Sequence, residues 1–213
     1  MSNLRTGSYG NYYGSFYSES VALTREQMSM NAKYIYSALT AAGWSLNAIG
    51  AMLGNMQAES SINPGRWQND TVGSSTLGYG LVQWTPSTKY TEWAAAQGFS
   101  DPSEMDANIA RITYEVTNNM QWIAKDAYDM TFAEFSVSGL PVAYLAKAFL
   151  LCYERPADQS ESVQAYRAAN AEAWYQELSG TTPEPETPTT TTRKRKKYNF
   201  ILFNKRRTEQ WIR

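Results

Sequence analysis

The chain has 213 residues and a formal net charge of −1, with 43% hydrophobic and 14% aromatic residues, enough for one packed domain with appendages or two small ones. It has no histidine and one cysteine, Cys152, which excludes His-ligated zinc hydrolases, Ser–His and Cys–His nucleophiles, Cys-rich metal sites and an internal disulfide, and leaves carboxylates as the residues for hydrolytic chemistry. No apolar run is long enough to span a bilayer, and no charged segment followed by an apolar one marks a secretory leader, so neither a transmembrane span nor a signal peptide is expected.

Residues 1–27 are rich in Ser, Gly, Asn and Tyr without helical period and read as a flexible or extended arm; a docking arm for a larger assembly is the functional alternative. From 28 to 180 the pattern is that of a mainly α domain. A first helix covers Met30 to Ala42 and stops at Gly43. Ser45 can cap a second that ends near Ser60. Residues 63–84 carry four glycines and read as a loop with a short hairpin. Ser87 can cap a helix through Ala96, and Asp101-Pro102 opens a long one whose apolar positions run from Met105 to Ile123. Thr131 starts a short helix, Pro141 another that stops before Glu154, and a last one runs from about Ser162 to Leu178 with Gly180 as its stop.

Beyond Gly180 the composition changes. Residues 181–192 are a Thr/Pro/Glu linker, and residues 193–213 carry nine basic residues against one acidic, or +8; residues 1–180 carry ten basic against seventeen acidic, or −7. The total of −1 conceals a basic tail on an acidic body. Residues 193–207 could contact DNA, an anionic membrane or an anionic wall polymer, or could be a solvated tail.

Four segments carry candidate chemistry. In Gln57-Ala58-Glu59-Ser60, Glu59 falls on the face of Met52 and Met56. Desolvation and the negative end of a helix dipole both favour a neutral carboxyl, the form that general acid catalysis requires. The plain alternative is a helix-end surface glutamate. Gly78-Tyr79-Gly80-Leu81-Val82-Gln83-Trp84 reads as a Gly-flanked aromatic strand: Tyr79 and Trp84 offer apolar faces and Gln83 a donor and an acceptor, a mixture suited to an N-acetylated sugar or simply to a buried strand. In Tyr153-Glu154-Arg155-Pro156, the adjacent charges read as a structural ion pair. In Trp67-Gln68-Asn69-Asp70, Asp70 is either a turn residue or a second carboxylate flanking a sugar bond.

The run Gly54 to Gly65, then Gly78 to Pro86, then Tyr153 to Pro156, in that order, resembles the phage tail lysozyme family, lysozyme-like domains in the tail-tip proteins of podophages that infect Gram-positive bacteria. The Glu-Ser pair followed by Gly-X-X-Gln is also similar to the wider lysozyme and lytic transglycosylase superfamily. The resemblance implies a mainly α, α+β lysozyme-like fold over residues 28–180, with a small β-hairpin or loop region beside the catalytic helix. It implies Glu59 as catalytic acid and Gln83, Tyr153 and Glu154 as cleft residues; it fixes no second carboxylate, so Asp70 as a second catalytic carboxylate and Tyr79 and Trp84 as substrate-binding residues rest on the residues alone. No metal or cofactor is implied. The implied activity is muramidase-type cleavage of peptidoglycan by a virion tail enzyme at the host cell wall, with glycan strands and other phage tail proteins as partners. A wall-peptidase domain often accompanies this one in the family, and without histidine a zinc domain of that kind is not expected here. A late-lysis endolysin, a lytic transglycosylase and a non-catalytic glycan-binding tail protein remain the alternatives.

Overall fold

The structure is a computed structural model that describes residues 3–6 and 14–180; the expected linker over 181–192 and basic tail over 193–213 lie outside the described residues. Two short strands, β1 (Asn3–Thr6) and β2 (Gly14–Tyr17), precede seven α-helices: α1 (Arg25–Ala41), α2 (Leu46–Ser60), α3 (Thr88–Ala96), α4 (Met105–Thr117), α5 (Phe132–Ser136), α6 (Val142–Ala148) and α7 (Glu161–Ser179). A 3-10 turn covers Gln68–Asp70, and a π-helical segment, Phe149–Glu154, continues α6. The mainly α, lysozyme-like expectation holds.

α2 is the central helix. Its residues 48–56 are all buried, and α1, α6 and α7 pack around it. Its closest partner is α7, because Gly54 has no side chain: a Cβ there would stand 2.5 Å from the Ala171 nitrogen and 2.6 Å from the Arg167 carbonyl oxygen. Gly50, one turn earlier, faces Tyr175. This small-residue stripe brings α7 against α2 at near backbone contact and thereby positions Arg167. Trp174, Tyr34, Phe149 and Leu39 fill the surrounding core. Among the described residues no helix is long and apolar enough to cross a membrane.

Three elements differ from the sequence expectation. α1 starts at Arg25 rather than Met30, under a capping box in which Gln27 N donates to Thr24 Oγ1 and Thr24 N donates to Gln27 Oε1. That first turn is solvent-exposed, so apolar periodicity is blind to it. α4 starts at Met105, after an Asp101–Ser103 turn, and ends at Thr117; Asn119 and Gln121 take positive φ, and Ile123 leaves the helix and is exposed. Gly78 to Trp84 is not a strand but a tight turn: Tyr79 and Trp84 exchange two backbone hydrogen bonds, Gln83 N donates to Gly80 O, and Gly80 sits at φ 85. The sheet lies instead in the N-terminal arm, where β1 and β2 pair antiparallel with Leu4 opposite Phe16.

Candidate active site

Each residue of the Gln57–Ser60 motif has a distinct place. Gln57 Oε1 accepts from Trp174 Nε1 of α7 at 2.8 Å, and Ala58 is exposed. Ser60 Oγ donates to Leu81 O at 2.8 Å and accepts from Asn63 N at 3.2 Å, tying the helix end to the Gly78–Trp84 turn. The helix stops because Ser61 and Ile62 both take positive φ. Glu59 therefore stands on the last turn, half-buried, where unpaired carbonyls give the helix its negative end.

Arg167 of α7 meets it. Arg167 Nη2 donates to Glu59 Oε1 at 2.6 Å, with the arginine side chain 8% and the glutamate side chain 19% exposed. Arg167 Nη1 lies 3.3 Å from Asn55 Oδ1, and Asn55 is fixed in turn by donating to Ala51 O and Ala146 O. Arg167 Nε is shielded from solvent without an acceptor. Glu59 Oε2 has no hydrogen-bond partner among the described residues.

A second carboxyl comes from the π-helical segment. One extra residue in that turn presents adjacent side chains to different neighbours. Tyr153 is buried, and its hydroxyl donates to Glu115 Oε2 at 2.5 Å. Glu154 lies instead within electrostatic reach of Glu59 and Arg167. Glu154 as a residue is half-buried, but its Oε1 is fully shielded and has no hydrogen-bond partner. Burial, and then the negative charge of Glu59, push its carboxyl well above the usual range; Arg167 opposes this without cancelling it. Arg155 does not pair with Glu154 through a hydrogen bond. Its Nη1 donates to the carbonyls of Gln121, Cys152 and Tyr153, closing the end of the segment.

The remaining predicted residues are placed otherwise. Tyr79, Trp84 and Tyr153 are 2%, 4% and 1% exposed and stack in the core, Trp84 against Tyr90 and Tyr153 against Phe149. Gln83 Nε2 donates to Arg66 O at 3.0 Å and Gly80 O at 2.9 Å, so that side chain holds its own turn. Asp70 sits on the exposed loop, 52% open to solvent, and pairs with Arg66 at 2.7 Å. The structure thus brings Glu59 and Glu154 together about Arg167 and holds Asp70 on a different cation.

Two participants escape a reading of the sequence. Arg167 has a recognisable signal, a charged residue in the Ala168/Ala171 stripe that faces Gly54. Glu115 has only its i,i+4 relation to Arg111. It is 1% exposed and accepts from Trp84 Nε1 at 3.0 Å, Arg111 Nε at 2.8 Å and the Tyr153 hydroxyl. Burial raises its proton affinity and these three donors oppose the rise.

The last turn of the central helix thus carries a partly exposed glutamate paired with an arginine, with a shielded carboxyl within electrostatic reach. Residues 30–178 match the phage tail lysozyme family, and the chain belongs to that family. It is similar to "Morphogenesis protein 1" of Bacillus phage B103, 48% identical over 165 residues that cover 78% of this chain and 44% of that protein. The chain therefore spans less than half the length of that relative.

Proposed function

We propose that the protein cleaves the glycan strands of peptidoglycan, with Glu59 as the general acid. The observation that carries this reading is the Glu59–Arg167–Glu154 cluster at the end of α2, in a chain of the phage tail lysozyme family. Glu154, kept neutral by burial and by the negative charge of Glu59, holds its own proton beside the site. Glu59 is the member open to solvent, and in its protonated form it donates to the glycosidic oxygen. The C–O bond breaks, its electron pair stays on the departing sugar oxygen, and an oxocarbenium-like centre remains. The Glu59 carboxylate left behind is met by Arg167.

Glu154 governs the fate of that centre. A carboxyl held neutral by burial is a poor nucleophile, so the cationic carbon is met by water or by the substrate's own acetamido or hydroxyl group. Asp70, committed to Arg66 on the open loop, has no part in this step.

The family description and the relative's name support a tail-borne enzyme that opens the host wall during infection, working beside other phage tail proteins. Detection of the chain in purified particles tests the location. Mass analysis of products from defined peptidoglycan, with the parent and Glu59→Gln side by side, tests the chemistry: the parent releases hydrated or anhydro-sugar products and the variant releases neither. Full turnover by Glu59→Gln would remove Glu59 from the mechanism.

A further inference from the structure

Helices α3 and α4 and the turn after α4 enclose an open concavity of about 420 Å³ that is separate from Glu59. Lys89 and Trp93 line it from one side, Arg111 and Tyr114 from the other, with Met120 and Gln121 at the rim. Its floor is Glu115, whose carboxylate already accepts from three donors. The Arg111 guanidinium lies against a pair of touching rings, 5.2 Å from the centre of Trp93 and 5.7 Å from that of Tyr114. Its Nε is engaged by Glu115, and its Nη groups have no acceptor among the described residues. Neither has the Lys89 ammonium. Trp93 Nε1 is shielded from solvent without an acceptor.

Lys89 and Arg111 thus bring two cations to one hollow, and the one carboxylate in its lining, Glu115, is committed to its three donors. Tyr114 and Met120 are 39% and 38% exposed and add an apolar wall. The occupant this fits is an anion with two acceptor oxygens on a partly apolar body. In peptidoglycan the sugar backbone is largely neutral, and the carboxylates belong to the peptide stems. The hollow is also joined to the catalytic pair: Gln121 Nε2 donates to the carbonyl of Tyr153, the residue before Glu154. We propose that this concavity is a subsite for a stem-peptide carboxylate, which positions a peptide-bearing sugar relative to Glu59; it rests on the glycan-cleavage reading above.

The test is calorimetric titration of the full chain carrying Glu59→Gln, which removes turnover, with a soluble disaccharide-tetrapeptide and with the same disaccharide lacking the peptide. The peptide-bearing ligand is expected to bind about tenfold tighter, worth about 1.4 kcal/mol. Adding Lys89→Ala and Tyr114→Ala, both at solvent-exposed positions, is expected to erase that margin without lowering the melting temperature. Equal affinity for the two ligands, no binding of either, or a margin that survives the double substitution overturns the subsite, as does preference for a glycerol-phosphate polymer over the muropeptide. Failure of the cleavage reading shows separately, as intact glycan after treatment with the parent protein.

Discussion

Glu115 and Glu154 are two carboxyls reached from the same π-helical segment, and they are treated in opposite ways. Glu115 lies in the core with a donor for nearly every lone pair it presents: an indole, a guanidinium and a phenol. Glu154 has an oxygen equally hidden from water and no donor for it. Burial raises the proton affinity of both, but at Glu115 the neighbours oppose the rise, whereas at Glu154 the nearest carboxylate adds to it. A buried carboxyl with all its hydrogen bonds holds a structure together, here by joining α4, the Gly78–Trp84 turn and the π-helical segment. A buried carboxyl left short of them stores a proton.

The largest effect expected on that contrast comes from Glu59→Gln. Removing the ionisable partner should lower wall cleavage by about 10²–10⁴-fold, the usual contribution of a positioned acid, with an unchanged circular dichroism spectrum. Next, Glu115→Gln weakens charge-assisted bonds to Trp84, Arg111 and Tyr153 and should cost about 1–3 kcal/mol in denaturant unfolding. Glu154→Gln should do the reverse on the alkaline side. A carboxyl whose folded proton affinity is raised contributes stability that is fully present below the ordinary carboxyl range and is lost as pH climbs through the raised value. The variant should therefore show a flatter stability profile and melt at least about 2 °C above the parent at pH 9, a shift of roughly 1 kcal/mol for a chain of this size. An alkaline profile identical to the parent's would mean that Glu154 is ionised in the fold.

Gly54→Ala probes the scaffold beneath the site. A methyl placed 2.5 Å from the Ala171 nitrogen must push α7 outward, at about 1–3 kcal/mol of overpacking. It should also reduce activity by drawing Arg167 away from Glu59. The smallest effect is expected at Asp70→Asn, where an exposed ion pair with Arg66 is worth less than about 1 kcal/mol and turnover should stay within a factor of two or so.

Helix positions were legible wherever an apolar stripe met a cap, as in α2 behind Ser45 and in α5 behind the Thr131 capping box. They were hidden where the first turn faces water, as in α1. The Gly78–Trp84 segment misleads because its aromatics suggest a pleated strand, while Gly80 and Gln83 take left-handed backbone that only the folded turn reveals. Glu59 was legible from its own helix, since its place depends on local spacing. Its partners were not. Arg167 lies 108 residues away in sequence and reaches Glu59 only through the close approach of α7 at Gly54. Asp70 was the nearest carboxylate in sequence, and nearness in sequence says little once the chain turns back on itself at Asn63.

One consequence concerns how the protein can be divided. The match to the family starts at residue 30. Strand β2 and the residues after it nevertheless complete the interior. Asn31 exchanges hydrogen bonds with the backbone of Phe16, Asn63 does the same with Ser18, and Glu19 O accepts from Trp67 N. A fragment cut at Met28 would leave two fully buried amide side chains without these partners, at about 1–3 kcal/mol each. The smallest portable unit for expression, grafting or fusion therefore begins no later than Gly14, and a domain trimmed to the matched residues would enter solution with an open seam beside its own central helix.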